Sequence, residues 1–599
     1  MPRNSASVFA QHALIAAIVI AALHGAASIV GMARAAPSDE LAALAGDYRT
    51  FQLAEDPIEA GRRGDADAAR RLPDVGPETI ARRRAAYLAF QERAGGIDAS
   101  GLTRIERDTL GILQHELTGA LETIEFGAYR APFLNDSGFH TTLDLVARQT
   151  RIATPEDAAA LAARYRDLPR YFAENIAQMR RGLAEGWTQP RIVAERALEI
   201  VENMQVGDPA EHSLYEPFAA LPESWSQSDI RRAREAALDA IEDSVRPAYA
   251  DLLAFFRDEY IPQTRDSLGA SELPRGRAYY EGRVKWFTTL DITPDDVHEL
   301  GLREVARIRE EMRAIIREVG FSGSFSEFLE FLRTDDQFYA ASAEDLLKEA
   351  SWIAKRIDGR MPEFFGKLPR LSYGVLPVPD AIAPVYTTGR YWGGDPERGL
   401  AGNYMVNTYD LRARPLYELP ALTLHEGVPG HHHQNALAQE IEGLPEFRKN
   451  VYINAFGEGW GLYAEHLGRE MGIYRTPYER FGALSYEMWR ACRLVVDTGL
   501  HWKGWSRAEA EACFIENSAL SLGNIRTEVD RYISWPGQAL AYKMGELKIK
   551  ELRARAEESL GDLFDIRAFH DAVLVDGAVT LSMLEEKINA WMEEAQSPR

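Results

Sequence analysis

Leu422-Thr423-Leu424-His425-Glu426-Gly427-Val428-Pro429-Gly430-His431-His432-His433-Gln434 carries four of the chain's 13 histidines. A histidine followed directly by glutamate, with more histidine just beyond, is how a helix presents a metal and a proton acceptor together. Imidazole nitrogen binds zinc, and the adjacent carboxylate takes a proton from the water that the metal activates. In the common H-E-x-x-H arrangement the two histidines stand above one another on one helix face. Here His425 and His431 are six residues apart, about 240° out of phase at ~100° per residue. His432 is back in phase but would lie ~10 Å along the axis. Neither pair can share an ion on an undistorted helix, and Pro429-Gly430 supplies the distortion. Pro removes the donor that would reach the His425 carbonyl, while Gly admits dihedrals that other residues avoid. The second ligand is His431 or His432, and His433 is expected outside the ligand set. Ala421, Leu422 and Leu424 carry the segment into a core rather than a solvated turn, and buried histidines and glutamate there need a partner.

A third ligand is expected from a separate helix. Ala455-Phe456-Gly457-Glu458-Gly459-Trp460-Gly461-Leu462-Tyr463-Ala464-Glu465-His466 follows, with Glu458, Leu462 and Glu465 at helical spacing on one face. Two carboxylates on an apolar stripe require compensation, which a cation supplies. The alternative is an ion-pair face with arginines. Glu458 is assigned as the ligand and Glu465 as the group that orients a histidine from behind.

Outward from these strings, helix signals dominate. Thr154-Pro155-Glu156-Asp157 and Thr293-Pro294-Asp295-Asp296 place a capping hydroxyl, a Pro and acids at helix starts. Ser324-x-x-Glu327 and Ser506-x-x-Glu509 fit the capping box. Amphipathic stretches run over 297–319, 343–357 and 508–515. Strand-like sequence is confined to 368–408, where 371–375, 384–386 and 403–407 are expected to form a small sheet. The last of these is read as an edge strand beside the metal helix, open to pairing with an extended peptide. The expected fold is therefore mostly α, with one small β-sheet beside the zinc helix.

Composition narrows the function. The 599 residues are 46% hydrophobic and 27% charged, which excludes wholesale disorder and a multi-span membrane protein. With 68 Lys+Arg against 91 Asp+Glu, the net charge is -23 and nucleic acid is an unsuitable partner. Cys492 and Cys513 are the only cysteines, too few for a disulfide framework, and are expected to be separate buried thiols. Residues 1–35 read as a signal peptide: Arg3, an apolar run over 14–30, then Ala33-Arg34-Ala35, with cleavage before Ala36. That predicts a periplasmic protein with no stable membrane insertion after cleavage, and a single domain over 36–599. No E-x-x-H pair supports a di-iron bundle, and no G-x-S-x-G elbow supports serine catalysis. The glycine-rich stretch over 393–399 reads as a turn rather than a phosphate loop.

H-E-G-V-P-G-H-H, F-G-E-G-W-G-L-Y-A-E and Y-I-S-W-P-G-Q-A-L-A-Y-K resemble the domain-of-unknown-function family 885, placed among zincin-like metallopeptidases with a glutamate third ligand. The resemblance implies a fold like that of angiotensin-converting enzyme and the oligopeptidases, two helical halves flanking a deep groove with zinc at its floor. It implies one Zn2+ per chain on His425, His431 and Glu458, with Glu426 as base. Related helical peptidases also supply a tyrosine, often with a histidine, to the oxyanion from a later helix. Tyr532 is the first choice for that role and Tyr542 the second. His501 is a further candidate, and Arg531 or Lys543 would bind a substrate carboxylate. The resulting expectation is a zinc-dependent metallopeptidase acting on short peptides. Its alternatives are a zinc hydrolase of small non-peptide amides or esters and a non-catalytic periplasmic metal- or peptide-binding protein. Glu426 speaks against the last, since a binder needs no base beside its ligand.

Overall fold

The computed structural model describes residues 35–597 apart from Val206, Ala381 and Glu397. The expected signal peptide thus lies, but for Ala35, outside the described residues. Helices start where the sequence places their caps. Thr154 Oγ1 accepts from the Asp157 amide, and the Asp157 carboxylate accepts in return from the Thr154 amide. Ser324 with Glu327 and Ser506 with Glu509 repeat this reciprocal pairing. A cap of this kind contributes ~1 kcal/mol, mostly by satisfying amides that the first helical turn leaves free.

The longest helix among the described residues, α1 (Pro294–Glu318), is capped by Thr293 and buries Val297, Gly301, Ile308, Met312 and Ile315 along one face. It is followed by a three-stranded sheet of β1 (Tyr373–Pro377), β2 (Gly389–Trp392) and β3 (Gly402–Val406). The strand order is β1-β3-β2. β1 runs parallel to β3, with Val375 opposite Tyr404, and β2 runs antiparallel, with Tyr391 opposite Tyr404. Two expectations are corrected here. Residues 384–386 are not a strand, because Ala383–Val385 forms a 3-10 turn, and Pro384 has no amide to give a ladder. Nor is 403–407 an edge. Tyr404, Met405 and Val406 are all buried, as a central strand covered on both faces must be, and β2 takes the edge.

Behind the sheet lie α2 (Leu419–Glu426), α3 (His431–Gln439) and α4 (Asn454–Leu467). Next come α5 (Pro477–Thr498), α6 (Arg507–Asn517), α7 (Leu522–Ser534) and α8 (Ala541–Leu560). α5 is buried all round from Phe481 to Thr498 and packs against α1, α2, α4, α6 and α8. Its Glu487, Arg490, Arg493 and Asp497 are buried with it, so each requires a polar partner inside the fold. Among the described residues the main apolar core draws on residues from Leu41 to Met592, with two smaller clusters beside it. Cys492 and Cys513 are both free thiols, as expected, with Cys492 buried and Cys513 part-exposed, and the α5–α6 contact brings their Sγ atoms to 2.8 Å. No described helix is long and apolar enough to cross a membrane.

Candidate metal centre

The histidine segment is two helices with a break between them. α2 ends at Glu426 and α3 begins at His431. Within the break the Gly430 amide donates back to the Leu424 carbonyl at 3.0 Å, and the His432 amide to Gly427 at 3.1 Å. A side chain at Gly430 would place its Cβ 2.0 Å from the His425 carbonyl oxygen, so this fold-back admits only glycine. Trp460 on α4 holds the break from behind, its Nε1 donating to the Pro429 carbonyl at 2.7 Å. The break thereby brings His431 to His425 across a six-residue separation that a straight helix would turn away.

His425 Nε2 and His431 Nε2 each lie 3.5 Å from Glu458 Oε2. These three atoms fall within 4.8 Å of one another and form the one such cluster among the described residues. Gly461, one turn along α4 from Glu458, makes room for the His425 ring, which a Cβ there would meet at 2.7 Å. On its far side His425 Nδ1 bonds Glu465 Oε1 at 2.8 Å, and Arg490 Nη2 of α5 stands 3.3 Å from the same oxygen. This fixes the His425 tautomer with Nε2 free to face Glu458. Tyr452 donates its hydroxyl to Glu458 Oε1 at 2.9 Å, leaving Oε2 turned to the imidazoles.

Two imidazole nitrogens and a carboxylate oxygen converging in this way need a positive charge among them, from a shared proton or a cation. Burial by itself would lower His425, but Glu458 and Glu465 raise it to about 9. Burial would raise Glu458, yet the bonds from His425 and His431 hold it well below the usual carboxylate range. A proton can meet this need, and two nitrogens with one oxygen are also donors of the type zinc takes. Removing the brace tests the arrangement. Glu465→Ala is expected to weaken zinc affinity 10–100-fold, as loss of an outer partner usually does (~10–100-fold). Competition against a chromophoric chelator reads this, and unchanged affinity would show that Glu465 does not position His425.

The neighbouring residues separate into distinct roles. Glu426 is buried, and its Oε2 accepts the Tyr391 amide at 2.7 Å. The edge strand β2 thus meets the carboxylate next to the cluster. His432 turns away: its Nε2 faces the Leu371 carbonyl at 3.0 Å and its Nδ1 the Tyr391 hydroxyl at 3.2 Å. His433 packs 4.7 Å from the Phe365 ring and is pushed down to about 3, first by burial, so it is neutral.

Several residues chosen from sequence are engaged elsewhere. The Tyr532 hydroxyl accepts from Trp489 Nε1 (2.9 Å) and Arg493 Nε (2.8 Å) and donates to Glu528 (2.7 Å). It is 1% exposed, and these three partners fill its bonding capacity. His501 is fully buried; Nδ1 accepts the Ala270 amide and Nε2 bonds the Tyr532 carbonyl, so neither nitrogen is left for substrate. Lys543, also fully buried, directs its ammonium at Glu546 (2.6 Å), Glu487 (2.8 Å) and Glu304 (3.1 Å). Arg531 bonds Gln538 and Glu528. Tyr542 opens α8, is part-exposed, and lays its ring over the Arg493 guanidinium at 4.2 Å. Tyr452, Tyr391 and Arg490 were not picked out by sequence. Arg490 had a legible signal, a cation in the apolar run of α5. Tyr391 gives only its amide, which no side-chain pattern reveals.

A family described as "Bacterial protein of unknown function (DUF885)" matches residues 57–588. Among solved structures, "the putative lipoprotein from Colwellia psychrerythraea" is 26% identical, with a TM-score of 0.88 over 94% of this chain and 100% of that one. "A putative lipoprotein of unknown function from Shewanella oneidensis" is 17% identical and shares the fold at a TM-score of 0.70, over 92% and 99% of the two chains. No curated protein matches the chain. The chain belongs to the DUF885 family.

Proposed function

We propose that this DUF885 protein is a metal-dependent peptidase of the zincin-like kind, with one divalent ion, zinc by its donor set, on His425, His431 and Glu458. The observation that carries this reading is the convergence of three acceptor atoms within 4.8 Å, with an acid directly after the first ligand. The bound ion would supply the positive charge that acidifies a water and polarises a carbonyl. Glu426, steadied by the Tyr391 amide, takes the proton and later returns it to the leaving amine. An extended substrate aligns by main-chain pairing along β2 beside the Tyr391 amide, which Glu426 holds. Tyr542, part-exposed at the start of α8, takes over the oxyanion role, and Tyr452 holds Glu458 in place. Short peptides are the proposed substrates, entering a groove between two helical halves as in angiotensin-converting enzyme and the oligopeptidases. Export to the periplasm is proposed from the leader pattern of residues 1–35. The likeness to the Colwellia psychrerythraea protein titled as a lipoprotein agrees with export.

The test is hydrolysis of short peptides by the zinc-loaded protein, abolished by chelation and restored by zinc. Hydrolysis of small amides or esters alone, with peptides untouched, would favour the second hydrolase reading. The tyrosines are distinguished by phenylalanine substitution. Tyr542→Phe is expected to lower kcat by about 10²–10³-fold, the usual effect of losing one oxyanion donor. Tyr532→Phe should leave kcat within a few-fold. It should also lower stability by about 1–3 kcal/mol, because Arg493 and Glu528 lose a buried partner. A kcat loss confined to Tyr532→Phe would return the role to Tyr532.

A further inference from the structure

Cys492 lies on α5 with no exposed surface, and Cys513 on α6 is part-exposed. Their sulfurs are 2.8 Å apart, and the Cys492 thiol also points at the Cys513 carbonyl at 3.4 Å. Both sit within helices rather than in the connection between them. α6 is fixed at its start by the Ser506–Glu509 capping box, so the approach is set by helix packing. Sulfurs this close stand only a small adjustment from the ~2.05 Å of a disulfide bond. No other titratable ligand joins them, since the histidine–glutamate cluster is the one candidate metal group among the described residues. These are also the only two cysteines of the chain.

We propose that Cys492 and Cys513 are a dithiol that closes to a disulfide on meeting a disulfide oxidant, covalently joining α5 to α6. The part-exposed Cys513 is the entry point. Its thiolate attacks one sulfur of the oxidant, forming a mixed disulfide and releasing the first oxidant thiol. Cys492 then loses its proton and attacks the Cys513 sulfur, which expels the second oxidant thiol. Two protein thiols are oxidised, one external disulfide is reduced to two thiols, and the two protons leave with them. Burial, then the neighbouring Cys513, holds the Cys492 thiol well above its ordinary range, so it is a poor first nucleophile but becomes effective against an adjacent mixed disulfide. The bond matters to the site because α5 also carries Arg490, which stands beside the Glu465 carboxylate that braces His425. The inference does not depend on the peptidase reading.

The test uses the folded protein over residues 36–599, purified reduced and then incubated with oxidised glutathione. The expected product has an intact mass lower by two hydrogens, no thiol titratable after denaturation, and a peptide map joining 492 to 513. Its melting temperature should rise above that of the reduced form. Cys492→Ser should instead trap glutathione on Cys513, while Cys513→Ser should stay unmodified in the folded state. Two free thiols in the treated wild-type protein, or a separate glutathione on each cysteine, would overturn the proposal.

Discussion

Glu426→Gln is expected to bind zinc as the wild type does and to lose about 10²–10⁴-fold in kcat, the range that a positioned general base contributes. Gln matches Glu in size and keeps a carbonyl oxygen for the Tyr391 amide, now 2.7 Å from Glu426 Oε2. The local fold should therefore survive. What disappears is the ability to accept a proton. Glu426 is not among the three converging ligand atoms, so metal content should not fall with activity. Metal analysis and steady-state kinetics on the same preparation separate these effects. Wild-type kcat in this variant would remove Glu426 from the mechanism.

His431→Ala and His432→Ala should differ even more in metal content. His431 contributes one of three converging atoms, its Nε2 3.5 Å from Glu458 Oε2. Its loss leaves two ligands, and affinity should fall by more than the ~10–100-fold typical of an outer partner. After dialysis against a weak chelator, that variant should retain no zinc. His432 points instead to the Leu371 carbonyl and the Tyr391 hydroxyl. Its removal should cost about 1 kcal/mol of stability for the lost hydrogen bonds and leave close to one zinc per chain. The opposite order of metal loss would make His432 the ligand and require a different path through the Pro-Gly break.

Helix content was legible in the sequence because caps are local. Thr154, Ser324 and Ser506 act within three residues, and each does what its spacing implies. The sheet was harder. A four-residue strand such as β2 has too few positions to display alternation, and the central place of β3 depends on partners distant in sequence. At the site, the six-residue histidine spacing with Pro429-Gly430 already told that a regular helix must break. It could not tell which imidazole would face Glu458, because the turn that decides it is closed by long-range contacts such as Trp460 to Pro429. The surroundings of the residues after 500 were hidden for a related reason. Tyr532, His501 and Lys543 are polar residues near a suggestive motif, but partners from α5 and other elements occupy their polar atoms. Sequence displays residue types; burial decides which remain available to a substrate.

The most direct test of a metal-dependent peptidase is mass-spectrometric mapping of products from a mixed library of short peptides, with the zinc-loaded protein beside its Glu426→Gln variant. The account predicts new peptide ends from the wild type, none above background from the variant, and none from the wild type after chelation. No cleavage by wild-type protein shown to carry one zinc per chain, or equal cleavage by both proteins, would contradict it.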